Sequence, residues 1–406
     1  MLNTIYISYD GMTDPLGQSQ VLPYLNNISK DYKIHLISCE KPSNYNRYKK
    51  DIYEIIKGTN IVWYPLMYHK SPPVLSTLWD LWRIKVLSIK IHKKNKVKLL
   101  HCRSHLMGII GESLKKSLGI PYIFDMRSFY PDERVDGNLW PQEKFLYRLI
   151  FKYFKKKEKD LFTSSDKTVV LTSIAKDILN KEFAKNNVEV IPCCADFEHF
   201  NFNKITKEEI SSVKKSLGIK QNQFVLSYLG SLGTWYLLEE MLLFFKELKE
   251  VFNDAIFLFI TPTNPEIILS SVKKLGLSSD DFRINYIERL ALPKYLMVSS
   301  ASIFFIKNTY SKKASSPTKH AELMGLGIPV IANEGVGDVG DIITNSKTGT
   351  LVNVDDTKTY KRAVESINLL LEIDRGLIRN KGEEIFSLEK GSAKYSAIYN
   401  NIIKNL

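Results

Sequence analysis

Short apolar runs alternate with amphipathic, helix-length stretches along this chain, and the alternation occurs twice. In the first half, strand-like runs lie at Thr4–Ser8, Ile34–Cys39, Ile61–Pro65, Leu99–Cys102, Tyr122–Asp125, Thr168–Leu171 and Val188–Pro192. Helical patterns at Gln20–Lys30, Leu75–Lys94, Leu106–Leu118, Pro141–Phe162 and Ile174–Lys185 separate most of them. Strands that are apolar almost throughout must be covered on both faces, which predicts a parallel sheet between helix layers. After a polar, Lys-rich stretch from Phe202 to Gln223, the pattern restarts. Runs at Phe224–Leu229, Ile256–Ile260, Ser302–Ile306, Pro329–Ala332 and Thr350–Val352 alternate with helices opening near Tyr236, Pro265, Pro293 and Pro317, and another at Thr357–Glu372. The expectation is an α/β chain of two doubly wound, Rossmann-like domains facing each other across a cleft. They would cover residues 1–197 and 198–387, with a terminal helix within 388–406 open to return to the first.

Length supports that division, because single cores stop growing at roughly 250–300 residues. Four cysteines among 406 residues are too few for a disulfide framework, and no Cys/His spacing suggests zinc, so neither a metal site nor a resident cofactor is expected. No run is apolar enough to span a bilayer and the start carries no signal pattern, which predicts a cytoplasmic protein. The charge is lopsided. Residues 1–197 hold 31 Lys and Arg against 20 Asp and Glu, whereas the remainder holds 26 against 24. The basic half implies an anionic partner: nucleic acid, a membrane surface or a phosphorylated substrate.

Ligands of open parallel sheets bind at the carboxyl ends of the strands, and the polar residues of interest fall there. SYDGMTDPLGQSQ places Gly17 and Gln18 where a loop enters a helix, so that backbone amides can approach a phosphate or a sugar. HCRSH brings Arg103 and His105 to a strand exit. FDMRSFYPDE sets Asp125 and Arg127 two apart, on one side of an extended end, where they bind a ligand or simply pair with each other. In the second half, Gly230 and Ser231 of YLGSLGTWY precede a helix. The most specific stretch is SSPTKHAELMGLGIPVIANEGVGD. Ser315 or Ser316 would cap a helix beginning at Pro317, and its free amides with Thr318 and Lys319 favour an anion. Glu322, one turn on, would accept hydrogen bonds from two neighbouring hydroxyls, and the Gly335-Val336-Gly337 loop returns to the same edge. A nucleoside diphosphate fits, with phosphate at the helix end and ribose on Glu322. The alternative is a capped core helix on which Lys319 and Glu322 merely pair on the surface.

The segments YDGMTDPLGQSQVLPYL, FDMRSFYPDE, PCCADFEHF, YLGSLGTWY and SPTKHAELMGLGIPVIANEGVGD, in this order, resemble the GT-B glycosyltransferases, and most the retaining family-4 enzymes of bacterial surface-polysaccharide type. The resemblance spans nearly the whole chain. It implies that Glu322 binds the nucleotide ribose, that Ser316–Lys319 faces the diphosphate, and that the Gly17 loop approaches phosphate and donor sugar. The sequence departs from that pattern at three places. Ala314 stands where a Glu is usual, no Arg or Lys matches the usual pair early in the second domain, and Arg127 replaces a histidine.

The resulting expectation is a glycosyltransferase that moves a sugar from a nucleoside-diphosphate-sugar to a hydroxyl of a lipid-linked saccharide, with retention. It would act without metal, given the absence of an Asp-x-Asp pair, and with Asp125, Arg127 and His105 positioning the reacting groups. EKFLYRLIFKYFKKKEKDLF sets Lys144, Arg148, Lys152 and Lys156 four apart opposite an apolar face. Trp79 and Trp82 lie beside a Lys-rich helix end. Both predict contact with an anionic membrane at its inner face, although covering the sheet is the ordinary use of such helices. A nucleotide-sugar epimerase on the same frame and a non-catalytic basic protein binding nucleic acid are the competing readings. The second leaves the glycine loops unexplained, so no nucleic-acid partner is expected.

Overall fold

Thirteen strands of the computed structural model, which describes residues 1–72, 74–183 and 187–405, form two sheets. The first contains β1 (Leu2–Ser8), β2 (Tyr32–Glu40), β3 (Ile61–Met67), β4 (Leu99–Arg103), β5 (Tyr122–Asp125), β6 (Lys167–Val170) and β7 (Val188–Val190), in the order β3-β2-β1-β4-β5-β6-β7. The second contains β8 (Val225–Leu229), β9 (Ile256–Ile260), β10 (Phe282–Asn285), β11 (Ala301–Phe304), β12 (Val330–Asn333) and β13 (Gly349–Val352), in the order β10-β9-β8-β11-β12-β13. Every pairing in both sheets is parallel. The order reverses between β1 and β4 in one sheet and between β8 and β11 in the other, and such reversals are where open sheets hold ligands.

Residues 1–194 with 388–406 form one unit, and residues 195–387 the other. The terminal helix, Leu388–Lys404, belongs to the first. Its Tyr395, Ile398 and Tyr399 join the core made by Tyr24, Leu25 and Ile28. Gly391 permits that approach, because a Cβ there would lie 2.7 Å from the Cys194 thiol. The second core is aromatic-rich, with Phe244, Phe245, Phe257 and Phe259 fully buried.

Several elements differ from the sequence expectation. The first helix starts earlier, at Pro15, and breaks at Val21 before a second helix, Leu22–Ile28. The polar stretch after Phe202 contains a helix, Lys207–Ser216, whose capping box pairs Thr206 with Glu209; its polarity reflects exposure. β10 was unmarked because only its first residue is buried. Helices at Pro42–Ile56, Tyr130–Asp136, Val339–Ser346 and Arg375–Phe386 were also unmarked. The expected helix Thr357–Glu372 divides at Ser366. The expected helix after Ile174 runs Ser173–Phe183, and its last two expected positions lie outside the described residues.

Gly327, in the MGLGIPV turn leading to β12, has φ +62, and a Cβ there would lie 2.6 Å from the Arg375 carbonyl oxygen. Gly327→Ala is expected to destabilise the second unit by about 1–3 kcal/mol through left-handed strain and that clash. Denaturant unfolding checks this, and an unchanged midpoint would refute it.

Candidate functional site

In the first unit, strand register brings the carboxyl ends of three neighbours level: Ser8 lies beside Arg103, and Arg103 beside Asp125. Asp125 is buried and is approached by three nitrogen-bearing side chains. Arg127 Nη1 lies 3.2 Å from one carboxylate oxygen; His101 Nε2 at 3.4 Å and Arg103 Nη1 at 3.8 Å approach the other. Arg103 also donates through Nε to Asp10 at 3.2 Å. Burial by itself would raise the Asp125 carboxyl, but Arg127, His101 and Arg103 together hold it well below the usual carboxylate range. Burial likewise lowers His101, against the pull of Asp125. His101 was not singled out from the sequence. The signal was present: it lies two residues before Arg103 on an extended strand, hence on the same side, and its Nδ1 meets the Tyr399 hydroxyl at 2.8 Å.

His105 is held elsewhere. It sits inside the helix Ser104–Leu118, buried, with Nε2 3.0 Å from Glu158 and its ring stacked on Tyr130. The helical turn carries it away from the strand-end cluster into the interior.

The glycine loop owes its shape to Glu40, at the end of β2. That carboxylate accepts hydrogen bonds from the Met12 amide (2.7 Å), the Thr13 amide (3.1 Å), the Thr13 hydroxyl (2.5 Å) and the Ser38 hydroxyl (2.5 Å). Gly17 is required by the loop's own packing, since a Cβ there would fall 2.2 Å from the Gly11 carbonyl oxygen. Gln18 is partly exposed, its amide 3.4 Å from the Thr13 carbonyl oxygen. Sequence reading did not mark Glu40, because its partners are backbone amides brought near only by the fold.

In the second unit, β8 is followed by Gly230, which adopts φ +109. The exposed Ser231 follows, and its carbonyl oxygen accepts from the Tyr228 hydroxyl at 2.9 Å. The helix Thr318–Gly325 begins one residue later than expected. Pro317, and not Ser315 or Ser316, occupies the cap position. Thr318 and Ser316 are half-buried. Lys319 and Glu322 are both buried, and they do not form the surface pair considered above. Glu322 instead accepts from Arg289 Nη1 at 2.9 Å, a partner the sequence did not announce. Burial raises the Glu322 carboxyl above its ordinary value, with Arg289 opposing. Lys319 Nζ has no hydrogen-bond partner among the described residues and lies 3.8 Å from the Tyr236 ring centroid and 4.1 Å from that of Tyr228. Lys312 lies 3.7 Å over the Trp235 ring. At the end of β12, Asn333 ties the following loop down by exchanging hydrogen bonds with the Ile306 backbone. Gly335 is exposed at φ +84, Val336 is buried, and the Gly337 amide donates to the Lys312 carbonyl at 3.0 Å. The arrangement offers amides, a carboxylate and a buried amine at one sheet edge, groups suited to a phosphate and neighbouring hydroxyls.

The family described as glycosyl transferases group 1 matches residues 209–381, most of the second unit. A UDP-Gal:alpha-D-GlcNAc-diphosphoundecaprenol alpha-1,3-galactosyltransferase from Escherichia coli is 22% identical over 333 residues, 78% of this chain and 78% of that protein. Among solved structures, the chain is similar to a sucrose-phosphate synthase from Thermosynechococcus elongatus, with TM-score 0.77, 14% identity and all of both chains covered. It is also similar to Alr3699/HepE of Anabaena in complex with UDP-glucose, with TM-score 0.70, 10% identity, and coverage of 99% of this chain and 100% of that one. The fold is that of the GT-B glycosyltransferases.

Asp125→Asn would leave the buried Arg103 and the half-buried Arg127 without their shared anion, and a loss on the order of 3–5 kcal/mol of unfolding free energy is expected. The depressed Asp125 contributes stability above the ordinary carboxylate range and loses it only as pH falls through its lower folded value. The variant should therefore show a weaker acid dependence as well as a lower midpoint. Equal stability of the two proteins in denaturant at neutral pH would refute the role given to Asp125.

Proposed function

We propose, from the premise that the chain is a glycosyltransferase with a group 1 domain in its second unit, that it moves a sugar from a nucleoside-diphosphate-sugar to a lipid-linked saccharide, with retention. The observation that carries this reading is the pairing of two buried groups on one short helix: Lys319, whose amine has no hydrogen-bond partner, and Glu322, engaged only by Arg289 among the described residues. The amine and the helix-end amides suit a diphosphate, and the carboxylate suits a ribose. The Escherichia coli relative is named for a UDP-sugar donor and a diphosphoundecaprenol-linked acceptor, which supports the same two substrate classes here.

In the reaction, the bond from the sugar's anomeric carbon to the diphosphate breaks and a bond to the acceptor oxygen forms. The acceptor's proton passes to the departing diphosphate. Charge develops on that diphosphate, and Lys319 with the amides before Ala321 would stabilise it without metal. Asp125 and Arg127 would orient acceptor or donor groups; His105, enclosed with Glu158, supports the interior. An epimerase would need further acidic and basic groups around the sugar. A nucleic-acid-binding role would leave the group 1 domain unused.

We place the chain at the inner face of the membrane on the strength of an exposed apolar face. Trp79 and Trp82 stack at 4.8 Å and are 52% and 54% exposed, with Leu75 and Leu78 beside them and Lys93 and Lys94 ending the same helix. Phe145, Leu146, Leu149 and Tyr153 are exposed on a second basic helix. No helix among the described residues is long and apolar enough to cross a membrane, so contact would be peripheral.

Nucleoside diphosphate release from UDP-, GDP- and ADP-sugars, with and without a lipid-linked acceptor extract, tests the reaction. One donor is expected to give acceptor-stimulated release that persists in EDTA, and Glu322→Ala is expected to raise its KM by about 10–100-fold through lost charged hydrogen bonds. No release from any donor would refute the reading. Vesicle flotation tests the membrane contact: Trp79→Ser with Trp82→Ser should lower retention on anionic vesicles, and undiminished retention would remove those residues from the interface.

A further inference from the structure

We infer that binding of a nucleoside diphosphate to the second unit takes up a proton from solvent, and that Lys319 is the group that carries it. The inference rests on the donor-site reading above and deepens it.

The Lys319 amine is enclosed, and no acceptor among the described residues lies within hydrogen-bond distance. An ammonium has three N–H donors, and none is satisfied here. What faces it is limited. Tyr236 and Tyr228, from the loop after β8 and from β8 itself, present ring faces. Glu322, from its own helix, is the nearest carboxylate acting on it and is already engaged by Arg289. Lys312, from the short helical turn Tyr310–Ala314, is drawn onto Trp235. Ring faces offset only part of the cost of removing a positive charge from water. Burial accordingly pushes the amine well below the ordinary lysine range. In the free protein burial and the missing acceptors therefore favour the neutral amine over the ammonium.

The glycine loop supplies the approach. Gly230 has no side chain, and the position a Cβ would take lies 3.3 Å from Lys319 Nζ. Any other residue would stand between the amine and whatever meets the end of β8. From Gly230 to Glu240 there is no Lys or Arg, so this loop brings no other cation to an anion there. A diphosphate within reach favours the charged form of the amine and supplies the missing acceptors. The proton comes from the buffer, and the charge exists only while the anion is present.

Linkage fixes the sign. A proton taken up on binding makes affinity fall as pH rises, by up to about tenfold per pH unit between the free and bound values of the amine. Calorimetric titration of the intact chain with UDP, or with GDP or ADP if UDP does not bind, at about pH 8 in Tris and in EPPS measures this uptake. These buffers differ in ionisation enthalpy. Close to one proton per bound nucleotide is expected for the wild type, and none for Lys319→Arg, whose charge is permanent. Binding by the wild type with no net uptake, or the same uptake in Lys319→Arg, would overturn the inference. If the arginine does not fold, Lys319→Met decides: weaker binding without uptake supports the assignment, and retained uptake refutes it. Failure of the wild type to bind any of the three nucleotides would instead sink the donor-site reading itself, so the two failures are distinguishable.

Discussion

Both sheets are parallel throughout, and this constraint governs where chemistry can sit. A parallel strand must be followed by a crossover that returns the chain to the same end, so all strand exits gather at one edge. Where the strand order reverses, crossovers leave in opposite directions and open a crevice. β1 and β4 do this in the first unit, and β8 and β11 in the second. Residues far apart in sequence, such as Asp10 and Arg103, or Gly230 and Lys319, meet for that reason.

The two edges treat buried charge in opposite ways. In the first unit Asp125 is surrounded by Arg103, Arg127 and His101, so its ionised form is held by protein groups alone. Such an arrangement is rigid and depends on every member. In the second unit the Lys319 amine lies against the Tyr236 and Tyr228 rings, with no hydrogen-bond acceptor among the described residues. A cluster of opposite charges maintains a surface of fixed charge, whereas an amine without an acceptor responds to what binds. The first property suits orientation of a substrate, and the second suits stabilisation of charge that appears during reaction.

The alternation of buried strands and helices was legible because burial on both faces leaves few polar residues within a strand. β10 escaped notice, since three of its four residues are only partly buried. The helix Lys207–Ser216 was hidden by its exposure, although Thr206 and Glu209 carried the capping signature. At the site, residue spacing pointed to Asp125, Arg127, Lys319 and Glu322, because short-range geometry follows from strand and helix periods. Arg289 and Glu40 were invisible to the same reasoning. Arg289 reaches Glu322 across 33 positions, and Glu40 holds Met12 across 28. His105 shows the opposite error: a histidine at a strand exit turned inward because the helix begins at Ser104.

The central claim is that nucleoside diphosphates bind at the strand-end edge of the second unit. Hydrogen–deuterium exchange, with and without saturating UDP, GDP or ADP, tests it most directly. Protection is expected at Gly230–Gly233, Thr318–Glu322 and Gly335–Gly337, with the amides of Thr261–Asn264 little changed. Nucleotide-dependent protection absent from those three segments, or concentrated in the first unit, would contradict it.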